Sequence, residues 1–176
     1  MNDLMAPLVV RWLLHDMATP IATVMTASEL LSDMPDPEIN GLVQLGARRL
    51  AGRLRLVRTA LVPPEDAMGG PALERLVREG LDGTDIDWRL SVDAQRAAVV
   101  AGAALLLADM RRGQTLTVRD DGVFTDRPGP VPAMIAAALA GAAPADNRSA
   151  VAAMIAAAAR QAGATLHLDE SGIRWT

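Results

Sequence analysis

Side chains able to make or break covalent bonds are scarce in this chain. It has no Cys, no Tyr and no Lys, and its two histidines, His15 and His167, lie 152 positions apart. Disulfides, thiolate nucleophiles and Cys-zinc sites are therefore excluded. Two distant histidines also make a poor metal cluster. What remains is imidazole, whose ordinary pKa of ~6.5 leaves it available as a nucleophile near pH 7. His15 has company suited to that role. In His15-Asp16-Met17-Ala18-Thr19-Pro20 a carboxylate is next in sequence, a hydroxyl comes four residues on, and a proline follows. His167 alternates within Thr165–Asp169 and reads as a surface strand residue.

The elements around His15 must decide whether it is usable. Residues 4–32 read as one long helix, because Val10, Leu14, Met17, Ile21, Val24, Ser28 and Leu31 alternate spacings of four and three. At ~1.5 Å per residue such a helix is ~40 Å long. Pro20 has no N–H, so the Asp16 carbonyl loses its helical donor. Either one helix runs on with a kink, or Thr19 caps a new helix with Pro20 at its first position. Asp36-Pro37-Glu38 is a helix start: an N-cap, a proline at the first position and an acid at the positive end of the dipole. The second helix carries the stripe Val43, Ala47, Leu50, Leu54, Val57 and Leu61, and Pro63-Pro64 ends it. Residues 1–62 thus form an antiparallel helical hairpin. Its apolar seams need a cover: a second copy, giving a four-helix bundle about a two-fold axis, or the chain's own C-terminal part.

His15 follows a seam residue, Leu14, and so faces solvent. Ala18, Thr19, Ala22 and Thr26 continue its face, and Arg11 lies one turn back. These small side chains leave room for another protein. A turn near Pro35 brings residue 15 level with about residue 55. The second helix holds Arg48, Arg49, Arg53, Arg55 and Arg58 against the single acid Glu38, a net +4 (5 − 1) in a chain of net charge −4. That basic face is either a solvated helix surface or a docking surface for an acidic or phosphorylated partner.

Residues 63–70 (PPEDAMGG) read as a linker, and residues 71–176 as a second domain of mixed elements. Helices fit Pro71–Leu81, Asp93–Arg111 with Asp93 near its cap, 131–142, and 147–162 capped by Asn147 or Ser149. Strands fit Asp85–Ser91, Thr115–Arg119, Gly122–Asp126 around an Asp120-Asp121 turn, Thr165–Asp169 and Gly172–Trp175. The order suggests an α+β sandwich with helices on one face of the sheet. Trp88, Phe124 and Trp175 read as sheet residues under that helix layer. Trp12 packs against the second domain or a partner. The apolar runs Ala97–Ala108 and Ala150–Ala159, of 12 and 10 residues, are buried helices, short of the ~18 that span a membrane. A pI near 5.1 argues against a general nucleic-acid binder. The opening residues lack the pattern of a signal peptide, so the expected location is cytoplasmic.

Arg11–Leu31, RWLLHDMATPIATVMTASELL, resembles the phosphoacceptor helix of sensor histidine kinases. Within that superfamily it is most similar to the ChpT-type histidine phosphotransferases of alphaproteobacteria. Their motif, His-Asp-Leu-x-x-Pro followed by Glu-Leu-Leu, is matched by His15-Asp16-Met17-Ala18-Thr19-Pro20 and Glu29-Leu30-Leu31. The resemblance implies a dimer built on the hairpin and a C-terminal domain like a degenerate kinase ATPase domain. It implies that His15 takes a phosphoryl group from the receiver domain of a hybrid kinase and passes it to a response regulator. Asp16 would orient or activate the imidazole, and Thr19 would hydrogen-bond the phosphoryl group. Ala18, Ala22 and Thr26 would admit the receiver's helix, with Arg11, Arg48, Arg53 and Arg55 as further contacts. No cofactor is implied for the chain itself, since the receiver brings magnesium. ATP binding is expected to be lost: the helix after Asp93 has no Asn, with Ala104 and Ala108 where they might stand, and no Gly-rich phosphate cradle is present. Two other activities fit the same residues. One is a phosphatase of a regulator's phospho-aspartate, with Thr19 positioning water. The other is a non-catalytic dimeric scaffold.

Overall fold

In the computed structural model the described residues are 5–33, 36–63, 68–91 and 96–176. They form six helices and a five-stranded mixed sheet, an α+β fold. The first helix, α1 (Met5–Asp33), runs unbroken through Pro20; of the two sequence readings, the continuous helix holds and Thr19 caps nothing. The second, α2 (Pro37–Leu61), starts as expected: the Asp36 carboxylate accepts from the Glu38 N–H at 2.7 Å, with Pro37 in the first turn. The two pair antiparallel, closely enough at Gly46 that a Cβ there would come 2.8 Å from a Val24 methyl.

The rest follows the expected order with shorter strands. Helix α3 (Gly70–Gly80) precedes strand β1 (Ile86–Trp88), helix α4 (Ala97–Met110), strands β2 (Leu116–Arg119) and β3 (Gly122–Thr125), helices α5 (Ala133–Leu139) and α6 (Asn147–Gln161), and strands β4 (Leu166–Leu168) and β5 (Gly172–Trp175). Sheet order is β1-β2-β3-β5-β4, with β1 parallel to β2 and every other pair antiparallel. The cap of α6 is a correction. Asp146, not Asn147 or Ser149, is the N-cap, and Ser149 returns the bond as the third residue of a capping box. The proposed cap at Asp93 and the linker residues 64–67 lie outside the described residues.

Sheet alternation sorts the strands. Leu116, Val118, Val123 and Ile173 are fully buried and share one face by register. Helix α4 lies against β2, β3 and β5. Trp175 joins this core, its Nε1 donating to the Asp120 carbonyl at 2.8 Å. Phe124 does not. It lies on the opposite face, where the Arg119 and Arg174 guanidinium groups cover its ring at 4.0 and 4.9 Å from the centroid. The core also takes in the hairpin's open end. Val9 and Trp12 of α1, with Leu56, Val57 and Ala60 of α2, pack into the same cluster as α4 and α6. The chain's C-terminal part therefore covers part of the hairpin seams. It leaves Val10, Leu14, Ile21, Met25, Leu45 and Leu54 exposed.

Candidate functional site

His15 is exposed on α1, ten residues into a helix whose inner side is anchored by Trp12 and Met17. A helix advances about 100° per residue. With Trp12 in the core and Asp16 turned toward α2, the imidazole is carried out to the surface. Ala18, Thr19, Ala22 and Thr26 are all exposed too. They line one shallow groove, bounded at its far end by Leu30 and by Leu42 of α2. Helical periodicity brings these four residues together.

Thr19 offers a hydroxyl with no side-chain hydrogen bond among the described residues, while its carbonyl accepts from Thr23 Oγ1 at 3.0 Å. Pro20, inside α1, leaves the Asp16 carbonyl without the usual helical donor. Arg11 is exposed and shares a second depression with Leu8 and with Ala145, Asn147 and Arg148 at the start of α6.

The acidic neighbour of His15 is engaged elsewhere. Both Asp16 carboxylate oxygens accept from Arg53, Nε at 2.8 Å and Nη2 at 3.0 Å. The same Nη2 donates to Asp109 at the end of α4, also at 3.0 Å. The side chains of Arg53, Asp16 and Asp109 are only 16%, 19% and 21% exposed. Burial works against the Arg53 charge, but hydrogen bonds and attraction from the two carboxylates prevail and hold its pKa above the ordinary value. Arg53 is thus an inward-facing residue, not one of an outer docking row.

The remaining arginines of α2 are placed differently from expectation. Residue 16 lies level with residue 53, close to the expected alignment, but Arg55 turns to α3, where it pairs with Glu79 at 2.7 Å. Arg49 pairs with Asp82. Arg48 donates to Gln44 at 3.2 Å and remains exposed. Asp109 was not among the expected site residues. Its signal was present: it is the single charge in the apolar stretch from Ala97 to Met110, and a carboxylate at the end of such a helix needs a cation nearby.

The fold is similar to one already solved. A structure of a bacterial phosphotransferase aligns with a TM-score of 0.69 over 99% of this chain and 96% of that one, at 21% sequence identity. No family model matches the sequence, and no curated protein matches it. No helix among the described residues is long and apolar enough to cross a membrane.

Proposed function

We propose that this protein is a histidine phosphotransferase of a bacterial phosphorelay, with His15 as the acceptor. The observation that carries this is an exposed imidazole beside a groove of small residues, in a chain whose fold aligns end to end with a bacterial phosphotransferase. In the forward step the Nε2 lone pair attacks phosphorus of a receiver's phospho-aspartate in line. The P–O bond to the carboxylate breaks, the electron pair stays on the leaving carboxylate, and His15 becomes phosphohistidine. A second receiver reverses the step onto its own aspartate. Transfer of this kind rests on positioning and charge stabilisation, and the receiver's magnesium supplies the latter. The groove along Ala18, Ala22 and Thr26 accepts the receiver's helix, with Arg11 at its edge.

The exposed row of Val10, Leu14, Ile21 and Met25 supports a homodimer through the hairpins. On the same reading, residues 71–176 are a degenerate kinase-like domain that binds no ATP. The engagement of both Asp16 oxygens by Arg53 favours an anchoring role for Asp16 over action as the base for the imidazole. The unbonded hydroxyl of Thr19 favours a secondary phosphatase activity, in which it would orient water.

The test uses a purified receiver domain charged with acetyl phosphate and Mg²⁺. Incubation should move acid-labile phosphate onto this protein, and His15→Ala should abolish it. Labelling that survives His15→Ala would sink the proposal. Rapid release of inorganic phosphate without labelled His15, lost in Thr19→Ala, would instead establish the phosphatase.

A further inference from the structure

Three helices meet at one guanidinium. Arg53 of α2 binds Asp16 of α1 side-on and Asp109 of α4 through the same Nη2. The three side chains are each about four-fifths buried, and the group lies one residue from His15. Asp16 is also where the backbone bonding of α1 is interrupted, because Pro20 deprives its carbonyl of a donor. A backbone bond is missing and a bidentate side-chain anchor is present at the same residue.

We propose that Arg53 is the positioning residue of the His15 site. By holding both oxygens of Asp16 it fixes the rotation of the interrupted turn of α1, and through Asp109 it ties that turn to α4 in the body of the molecule. The backbone of His15, one residue away, cannot shift without disturbing the clasp. The receiver then meets an acceptor ring and a groove already set relative to the start of α6. Bidentate guanidinium–carboxylate geometry has the directionality this requires; an ammonium group does not. This role rests on the phosphotransfer reading above and extends it.

The clasp predicts a difference between a large donor and a small one. A phosphorylated receiver must dock before it reacts. Phosphoramidate, which phosphorylates imidazoles in free solution, needs no docking. Arg53→Met should therefore slow single-turnover transfer from the charged receiver by about tenfold or more, the usual cost of a misplaced reacting group. Labelling of His15 by phosphoramidate should change by less than about twofold, since the ring stays exposed and chemically the same. Arg53→Lys should fall between wild type and Arg53→Met. Asp16→Asn combined with Arg53→Met should be no slower than the slower single variant, because both break one contact.

Equal loss with both donors would mean general damage and would overturn the role. So would normal transfer from the receiver in Arg53→Met; a loss confined to Asp16→Asn, with Arg53→Met normal, would return Asp16 to direct work on the imidazole. If Arg53→Met fails to fold, Arg53→Lys and Asp109→Asn must show the same contrast between donors, and its absence in both overturns the proposal. A wild-type protein that takes no phosphate from the receiver removes the relay reading and this role together. A wild type that transfers no faster than its Arg53 variants removes only the role.

Discussion

Helices α1 and α4 are both rich in apolar residues, and the chain treats them in opposite ways. In α4 every residue from Ala97 to Leu107 is buried. In α1, Val10, Leu14 and Met25 are 53%, 67% and 58% exposed. The difference lies in the number of neighbours. The sheet, α2, α3 and α6 surround α4, while α1 has α2 on one side and α6 near its start. Small side chains let α4 be enclosed: a Cβ on Gly102 would come 2.6 Å from an Ile155 methyl of α6. A helix apolar on all sides is a core helix when its surroundings are complete. When they are not, as along α1, an apolar stripe is left uncovered. His15 sits on the helix whose cover is incomplete.

Truncation of a leucine in each helix is the strongest way to break this contrast. Leu105→Ala removes a fully buried side chain and should cost about 3 kcal/mol, as other buried leucines do. Leu14→Ala, measured by urea unfolding at concentrations that keep the protein monomeric, should cost less than about 0.5 kcal/mol. Equal costs would mean that Leu14 is covered within the chain. Next in size is Arg53→Met, which leaves Asp16 and Asp109 facing each other without a cation. Breaking a buried ion pair costs about 3–5 kcal/mol; with roughly a fifth of each side chain exposed, about 2 kcal/mol is expected after allowance for screening. The melting temperature reports it directly, and an unchanged value would mean the clasp adds nothing to the fold.

A smaller effect on the isolated chain, but a large one on assembly, is expected from charging the uncovered stripe. On the proposed hairpin dimer, Leu14→Glu with Ile21→Glu should give a monomer in light scattering where wild type is dimeric. Monomer stability should change by less than about 1 kcal/mol, because both residues already face solvent in one chain. A wild type that is monomeric at every concentration would leave the stripe without its second copy.

Much of the fold was legible because local signals agreed with the final structure. The Asp36-Pro37-Glu38 start, the Asp120-Asp121 turn and the Gly163 stop each specify backbone geometry by themselves; Gly163 adopts φ 75°. The exposed row from His15 through Thr26 was legible for the same reason, since helical periodicity sets a face without reference to anything distant. What periodicity could not give was the depth of each face. It cannot say which part of a seam is covered by α4 and α6 and which part is open. It set residue 15 level with about residue 55, which the Asp16–Arg53 and Val24–Gly46 contacts match closely, but it could not say that Arg53 faces inward while Arg55 turns to α3. Two residues along α2 are about 200° of helix rotation, enough to move a cation from the inside of the hairpin to its outside. Phe124 failed for a related reason. Strand alternation assigns two faces, but which one meets the helices is decided by the neighbours of the strand.

The smallest effect belongs to the covered half of the molecule, at the β4–β5 turn. Asp169 accepts from the Ser171 hydroxyl at 2.5 Å and from the Ser171 and Gly172 N–H groups, and it pairs with Arg174. The Ser171 hydroxyl is the main cause that lowers its pKa from 3.8 to about 2, against a modest opposing effect of burial. A carboxyl whose folded pKa lies below its unfolded one stabilises the fold at pH values above the unfolded pKa. That contribution is lost as pH falls through the folded value. Asp169→Asn should therefore be less stable than wild type at pH 6, by no more than about 1 kcal/mol once screening at a half-exposed side chain is allowed for. The two proteins should converge between pH 4 and about 2. Urea midpoints at pH 6, 4 and 2 measure the approach. A gap that stayed constant down to pH 2 would assign the loss to the geometry of the turn rather than to its charge.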